Sequence, residues 1–383
     1  MLRVVARLAC CTLIATLPAT ALATRSRAAD CETRATYAGP ALHAAVRLAQ
    51  APGELSNAGF NNAVVRHLDD AFTQVLSATA APSISAAIAV PGVGSWSANR
   101  AESDAPLLYW ASAGKAFTAV VILQLAEEGL LSLDDPASRW VDGVPNGRIV
   151  TVRDLLAHTS GLFSANEDLL ARENPRQRSV SENLAIARRH GAMFCPGAQW
   201  RYSNTGYDVL GEIVRKVDGR SLEEAISTRI IAKLGLTRTR VLGPDSNISD
   251  IAPLRPANGR PIDPRWPGAA GPIAADAADM LRFFAALMNG RLLSPQSVAS
   301  MSATLYPMFD ASTYYGLGLM VFDVPDGDRR NLWLGHAGGT PGGSALLLYS
   351  PEDNAFVAVA LTGNGPATAA AYKMLKAWRE ANR

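Results

Sequence analysis

Strand-like segments lie at the two ends of this chain, with a long helical stretch between them. Residues 83–90 and 95–99 are short, apolar or alternating, and Pro91-Gly92-Val93-Gly94 between them is a hairpin signal. The next such segments are 315–322, 331–335, 344–349 and 355–362, with Pro351-Glu352-Asp353-Asn354 as the turn before the last. From 112 to 300 the apolar spacing is helical instead. Helices are expected at 112–128, 181–190, 206–218, 221–234 and 276–288. A short one starts at the capping-box pattern Thr151-Val152-Arg153-Asp154 and stops before Gly161. Val64, Leu68, Phe72 and Val75 mark a further helix at 61–78, and 367–381 forms the last. A sheet must cover its apolar faces with other layers. The expected fold class is α+β, an α/β sandwich. Its mostly antiparallel sheet is built from both chain ends, flanked by the terminal helices, and a helical domain is inserted at roughly 112–300.

Of the 383 residues 48% are hydrophobic and 18% charged, which is the balance of a globular chain. The formal net charge is only +2 and no basic run forms a patch, so no nucleic-acid partner is expected. Residues 1–7 carry two arginines and no acid, 8–18 are mostly apolar, and Ala21-Leu22-Ala23 offers a cleavage site. Residues 1–23 therefore read as a signal peptide, too short to span a bilayer, and a periplasmic or secreted product is expected. Cys10 and Cys11 fall inside it without a lipidation context. Residues 24–58 form an Ala-rich lead-in segment, and 59–383 a single domain. Cys31 and Cys195 remain, and an oxidising compartment permits a disulfide between them; two free thiols are the alternative. Two long irregular stretches, 163–180 and 241–272, are either site-shaping loops or plain surface connections, and the second holds seven prolines. There is no internal repeat and no second apolar run long enough to cross a membrane.

Three short motifs carry residue types that do chemistry. Ser112-Ala113-Gly114-Lys115 opens a helix. Serine needs a base beside it to act as a nucleophile, and positions i and i+3 share a helix face. A lysine in a dry pocket can lose its proton and serve as that base. Tyr202-Ser203-Asn204 sits on a loop before a helix. A phenol near an ammonium can shuttle protons, and the Asn204 amide can hold a substrate amide. His336-Ala337-Gly338 ends a strand-like run and enters Gly339 and a glycine-rich stretch. Glycines there would let a substrate backbone lie close and would free N–H groups for an oxyanion. Read singly, each motif also has an ordinary explanation: a solvated lysine, a satisfied buried tyrosine, a structural histidine.

Taken together, in the order Ser-x-x-Lys, Tyr-x-Asn, His-x-Gly, the motifs make the chain resemble the penicillin-recognising serine hydrolases. That group holds class C β-lactamases, D-Ala-D-Ala carboxypeptidases, D-aminopeptidases and related esterases. The likeness runs from about residue 62 to the C-terminus. It includes Leu155-Leu156-Ala157-His158-Thr159-Ser160-Gly161, Tyr202-Ser203-Asn204-Thr205-Gly206 and Gly335 through Gly342.

The resemblance implies an acyl-enzyme on Ser112, with Lys115 and Tyr202 handling protons in an order the sequence does not set. It implies Asn204 on the acyl amide, His336 and Gly338 at the substrate, and an oxyanion on the N–H groups of Ser112 and Gly339. His158 would mark a structural turn. Class C β-lactamases usually carry Lys-Thr-Gly at the third motif. His336-Ala337-Gly338 lacks both the fixed cation and the hydroxyl that hold a substrate carboxylate. An esterase or a D-Ala-D-Ala carboxypeptidase-like enzyme is therefore favoured over a β-lactamase. Ser112, Lys115 and Tyr202 are all present, which weighs against a non-catalytic penicillin-binding or sensor protein, and nothing marks a structural envelope protein. No H-E-x-x-H, His-x-His or G-x-S-x-G occurs, so no metal, no cofactor and no α/β-hydrolase is expected. The expected partner is a small-molecule or peptide substrate with an ester or amide bond; no oligomeric state is legible.

Overall fold

The computed structural model describes residues 30–382 apart from 57, 103, 105, 261, 311, 327 and 328. The expected signal peptide at 1–23 lies outside the described residues. Helix α1 (Asn62–Thr79) starts at Asn61, whose side chain accepts from the Ala63 and Val64 N–H groups. Strands β1 (Ile84–Val90) and β2 (Gly94–Arg100) form the expected hairpin, with Ile88 opposite Trp96. Strand β3 (Leu108–Tyr109) leads through a 3-10 turn, Ala111–Gly114, into α2 (Lys115–Glu127). Then come α3 (Val152–Ala157), α4 (Leu169–Glu173), α5 (Val180–His190) and α6 (Asn204–Asp218). The next helix, α7 (Leu222–Ile226), passes through a π turn, Ser227–Ile231, into α8 (Ala232–Leu234). Strands β4 (Thr239–Val241) and β5 (Ile273–Ala275) precede α9 (Ala277–Met288) and α10 (Pro295–Ser300). The chain ends in β6 (Tyr306–Pro307), β7 (Thr313–Tyr315), β8 (Met320–Asp326), β9 (Arg329–Thr340), β10 (Gly343–Ser350), β11 (Ala355–Thr362) and α11 (Ala367–Ala381).

The main sheet has eight antiparallel strands in the order β2-β1-β11-β10-β9-β8-β7-β6. Strands from both chain ends meet one strand in from its edge, where Ile84 of β1 pairs with Leu361 of β11. These two strands are buried along their whole length because both faces are covered. Alternation sorts their side chains into two cores. Ile88, Val357 and Val359 face α1 and α11, whereas Ala87, Phe356 and Ala358 face α9 and the helical domain. The α+β class and the sheet drawn from both ends are as expected.

Local differences have physical causes. The expected single strand at 315–322 is two, β7 and β8, broken at Gly318, whose φ of 67° suits glycine. Strand β9 does not stop at residue 335 but carries the third motif within it, because β10 pairs with it through Thr340. A second sheet, β3-β5-β4, is too short to leave a periodic signal. The lead-in segment is packed down: Cys31 is disulfide-bonded to Cys195, and Ala35 and Ala38 donate to the carbonyls of Pro196 and Ala198. Arg34 also bridges to the fully buried Asp154, the third residue of α3, which closes a capping box with Thr151.

Candidate active site

Ser112 stands on the 3-10 turn rather than in the helix proper, one residue past Ala111. Ala111 has φ of 47°, a left-handed conformation that is uncommon for a residue with a Cβ. Trp110 anchors the turn, fully buried, with its indole N–H on the Ala275 carbonyl at 3.0 Å. The turn tilts Ser112 into a cleft of about 300 Å³ between the sheet and the helical domain, bordered also by Asn204, Asp208, Trp266, Gly339 and Thr340.

Lys115, one turn on, has 0% of its surface exposed. Its Nζ donates to Asn204 Oδ1 at 2.7 Å and to the Ala270 carbonyl at 2.7 Å, and lies 3.1 Å from Ser112 Oγ. Burial lowers its pKa well below the usual lysine value, and the nearby Asp208 opposes this only in part. The first two oxygens can only accept. A neutral Lys115 therefore keeps two N–H bonds and is left with a lone pair towards Ser112, the arrangement of a base beside its nucleophile. The rings of Tyr202 and Tyr207 flank Nζ, their centres 4.7 and 5.2 Å away.

Tyr202 is held by a loop that His158 organises. His158 ends α3 with φ of 62°; its carbonyl accepts from Arg201 N–H, and its Nδ1 accepts from Ser203 N–H at 3.2 Å. Its ring lies 4.2 Å from that of Tyr202. Burial, then the charges of Lys115 and His336, depress its pKa strongly, so the ring is neutral and acts as an acceptor. Asn204 follows at the start of α6, where Ser203 caps the helix through Gly206 N–H. With Oδ1 on Lys115, the Asn204 amide keeps its NH₂ for another partner.

The third motif is rearranged relative to expectation. His336 is 1% exposed and does not border the cleft. Its Nδ1 is 2.7 Å from the Ala337 carbonyl and must donate to it, so Nε2 accepts from the Tyr315 hydroxyl at 3.0 Å. Burial, then Lys115, pushes its pKa down to about 3. His336 thus sits in the interior beneath the site, on the same strand face as Gly338, with both ring nitrogens taken within the protein. Gly338 lies against the turn that carries Ser112. A Cβ there would sit 2.2 Å from the Trp110 carbonyl, so this glycine admits the protein's own nucleophile turn. Gly339 is the open position: a Cβ there would meet no atom within 4 Å, and the residue borders the cleft with Ser112.

Two features lie outside the sequence expectations. Asp208 lies on α6, one turn past Asn204, and borders the cleft although only 8% exposed. Arg172, Arg176 and Arg178 stand on the outer wall, in the irregular stretch expected at 163–180. Arg176 is paired with Glu182 at 2.6 Å, whereas Arg172 and Arg178 make no ion pair with a carboxylate among the described residues. Helical spacing could have flagged Asp208 as the acid on a buried face; nothing in the sequence places the arginines. Among the described residues no cluster of His, Cys, Asp and Glu is suited to a metal ion. No helix there is long and apolar enough to cross a membrane.

A family model described as Beta-lactamase matches residues 68–379. The chain is 29% identical to penicillin-binding protein 4* of Bacillus subtilis (strain 168) over 260 residues, 62% of this chain and 56% of that protein. The chain thus spans about half the length of this curated relative. Among solved structures, a D-stereospecific amidohydrolase from Streptomyces sp. is 30% identical with a TM-score of 0.68, covering 82% of this chain and 97% of that one. The D-amino acid amidase from Ochrobactrum anthropi SV3 shares the fold, with a TM-score of 0.72 at 24% identity, covering 84% and 99%.

Proposed function

The chain belongs to the β-lactamase family of serine hydrolases, and from that premise we propose that it cleaves ester or amide bonds through an acyl-enzyme on Ser112. The bond set of Lys115 carries this reading: a fully buried amine, tied to two oxygens that can only accept, facing Ser112 Oγ at 3.1 Å. In the proposed cycle Ser112 Oγ attacks the substrate carbonyl as its proton passes to Lys115 and Tyr202. The oxyanion forms against the N–H groups of Ser112 and Gly339. Collapse breaks the bond to the leaving group, which takes the proton back through Tyr202. Water, deprotonated by the same pair, then releases the acid. Asn204, with its NH₂ unspent on Lys115, holds the acyl amide.

The substrates are of D-amino-acid type, and the enzyme is D-Ala-D-Ala carboxypeptidase-like or esterase-like. The likeness to a D-stereospecific amidohydrolase supports this. A β-lactamase is the second reading. The neutral, interior His336 supplies no cation for a β-lactam carboxylate, which weighs against it. A periplasmic or secreted location fits both the leader-like residues 1–23 and the Cys31–Cys195 disulfide.

The test is intact-protein mass spectrometry after mixing the enzyme, in separate tubes, with benzylpenicillin, a D-Ala-D-Ala peptide and a short-chain aryl ester. A Ser112→Ala variant serves as control. Ester or peptide cleavage that requires Ser112 is the expected result. Rapid penicillin turnover would move the enzyme to the β-lactamases, and equal activity of Ser112→Ala would remove the assigned nucleophile.

A further inference from the structure

Asp208 is a carboxylate more than nine-tenths buried in the wall of the cleft, yet no lysine or arginine pairs with it among the described residues. Its Oδ2 accepts from the Asn183 side-chain amide at 2.8 Å. Its Oδ1 makes no hydrogen bond among the described residues and lies beside Gly268, where an added Cβ would stand 3.3 Å away. Lys115 is the near cation, but its Nζ is bonded to Asn204 and Ala270 and lies beside Ser112. Burying an ionised carboxylate without a partner is costly. The cost shows in its pKa, which burial raises to about 7 against the smaller lowering effects of Asn183 and Lys115. A cation arriving in the cleft would relieve it.

Asn204 and Asp208 are four residues apart on α6, so they are neighbours on one helix face, about 5–6 Å between Cβ atoms. Asn204 offers a donor and Asp208 an acceptor. An acyl group lying along that face meets the two in turn, carbonyl or amide first and amine second. We propose that this recess selects acyl donors carrying a free, protonated amine, bound by Asp208, so that the enzyme acts on esters or amides of unblocked amino acids rather than N-acylated ones. The proposal rests on the acyl-enzyme reading of Ser112 and narrows it to donors without an N-acyl amide, so that Asn204 would meet the donor's own carbonyl. Gly268, with φ of 53°, keeps the approach to Oδ1 clear of a side chain. Arg172 and Arg178 stand on the outer wall, where they repel a misplaced ammonium and leave Asp208 as the one unpaired acid bordering the cleft among the described residues.

The experiment compares alanine p-nitroanilide with N-acetyl-alanine p-nitroanilide, both enantiomers of each, at pH 7, where the α-amine is largely protonated. The wild type is expected to favour the free amine in kcat/KM by about two orders of magnitude or more. Asp208→Asn should cut that preference at least about tenfold, and Asp208→Glu should restore part of it. Because Asp208 also acts on Lys115, the ratio between the paired substrates is the readout; a change common to both cancels. An unchanged ratio in Asp208→Asn overturns the proposal. So does a wild-type preference for the N-acetyl compound, or no turnover of either while an aryl fluorophosphonate labels Ser112. Failure of that label to attach to Ser112 instead overturns the acyl-enzyme reading beneath it.

Discussion

Beneath the floor of the cleft, Lys115 is fully buried and bound to oxygens from three separate stretches of chain; on the outer wall, Arg172 stands in solvent with no carboxylate partner among the described residues. The floor is borne on regular elements, α2, α6 and β9, whose registers are fixed by packing. The wall is borne on α4 and the irregular chain around it. Rigid elements hold reacting groups to the tolerance that proton transfer demands, while loops can vary without disturbing it. If Ser112 is acylated as proposed, the lesson is a division of labour: the floor would set whether acylation happens, and the groups around it, Asp208 and the outer wall, would set what is acylated.

Four measurements bear on that division. The largest effect is expected for Lys115→Ala, which should lower kcat/KM by about a thousandfold or more for every substrate alike. The pH profile gives its sign. The base is the unprotonated amine, present above its pKa, and burial depresses that pKa. kcat/KM should therefore rise with pH through a limb well below the usual lysine value of 10.5. A limb near 10.5 would place Lys115 outside the proton relay. Next is Gly338→Ala, whose Cβ must displace the Trp110 carbonyl. Overpacking of this kind costs about 1–3 kcal/mol, so kcat should fall roughly ten- to a hundredfold and Tm should drop. Gly339→Ala, with open space before it, should leave Tm nearly unchanged, and equal Tm losses would contradict the distinction between the two glycines.

Replacing both Cys31 and Cys195 by serine comes third. Stability should fall by about 2–4 kcal/mol in denaturant melts, with kcat reduced less than about tenfold, because the Tyr202 loop is also held by His158. The smallest effect belongs to Arg172→Ala, which should leave kcat within about threefold while shifting KM between anionic and neutral substrates. A uniform loss of kcat across substrates would put the wall inside the machinery and end the comparison.

The same division explains what can be read in advance. Apolar alternation and helical spacing are products of burial, so β1, β10, β11, α1 and α9 announce themselves. Ser112, Lys115 and Tyr202 stand out because their residue types and spacings fit one chemistry, and the structure brings Lys115 to both Ser112 and the Tyr202 ring. His336 shares a strand face with Gly338, the face turned to the Ser112 turn, and both its ring nitrogens are taken by Tyr315 and the Ala337 carbonyl; how deep a side chain lies on that face leaves no mark in the motif. Gly338 shows a second limit: a glycine announces a close approach but not whose backbone approaches, and here the Trp110 carbonyl does. Asp208 sits on the buried face of α6, where helical spacing could have flagged it, whereas the arginines depend on how irregular chain folds over the cleft, which leaves no period to read. The Cys31–Cys195 pairing is open in sequence because only the fold decides whether two distant thiols meet.

The union of β1 with β11 within the sheet has a consequence for how the molecule comes into being. A ribosome completes β1 long before β11, so the ladder between them cannot begin to form until the helical domain and the later strands have emerged. Topologies dominated by such non-local pairing fold slowly. Until then the nascent β1–β2 hairpin has only one paired neighbour and exposes an apolar, unpaired edge. Such an edge is a ready site for aggregation, and a chaperone would have to shield it while synthesis finishes.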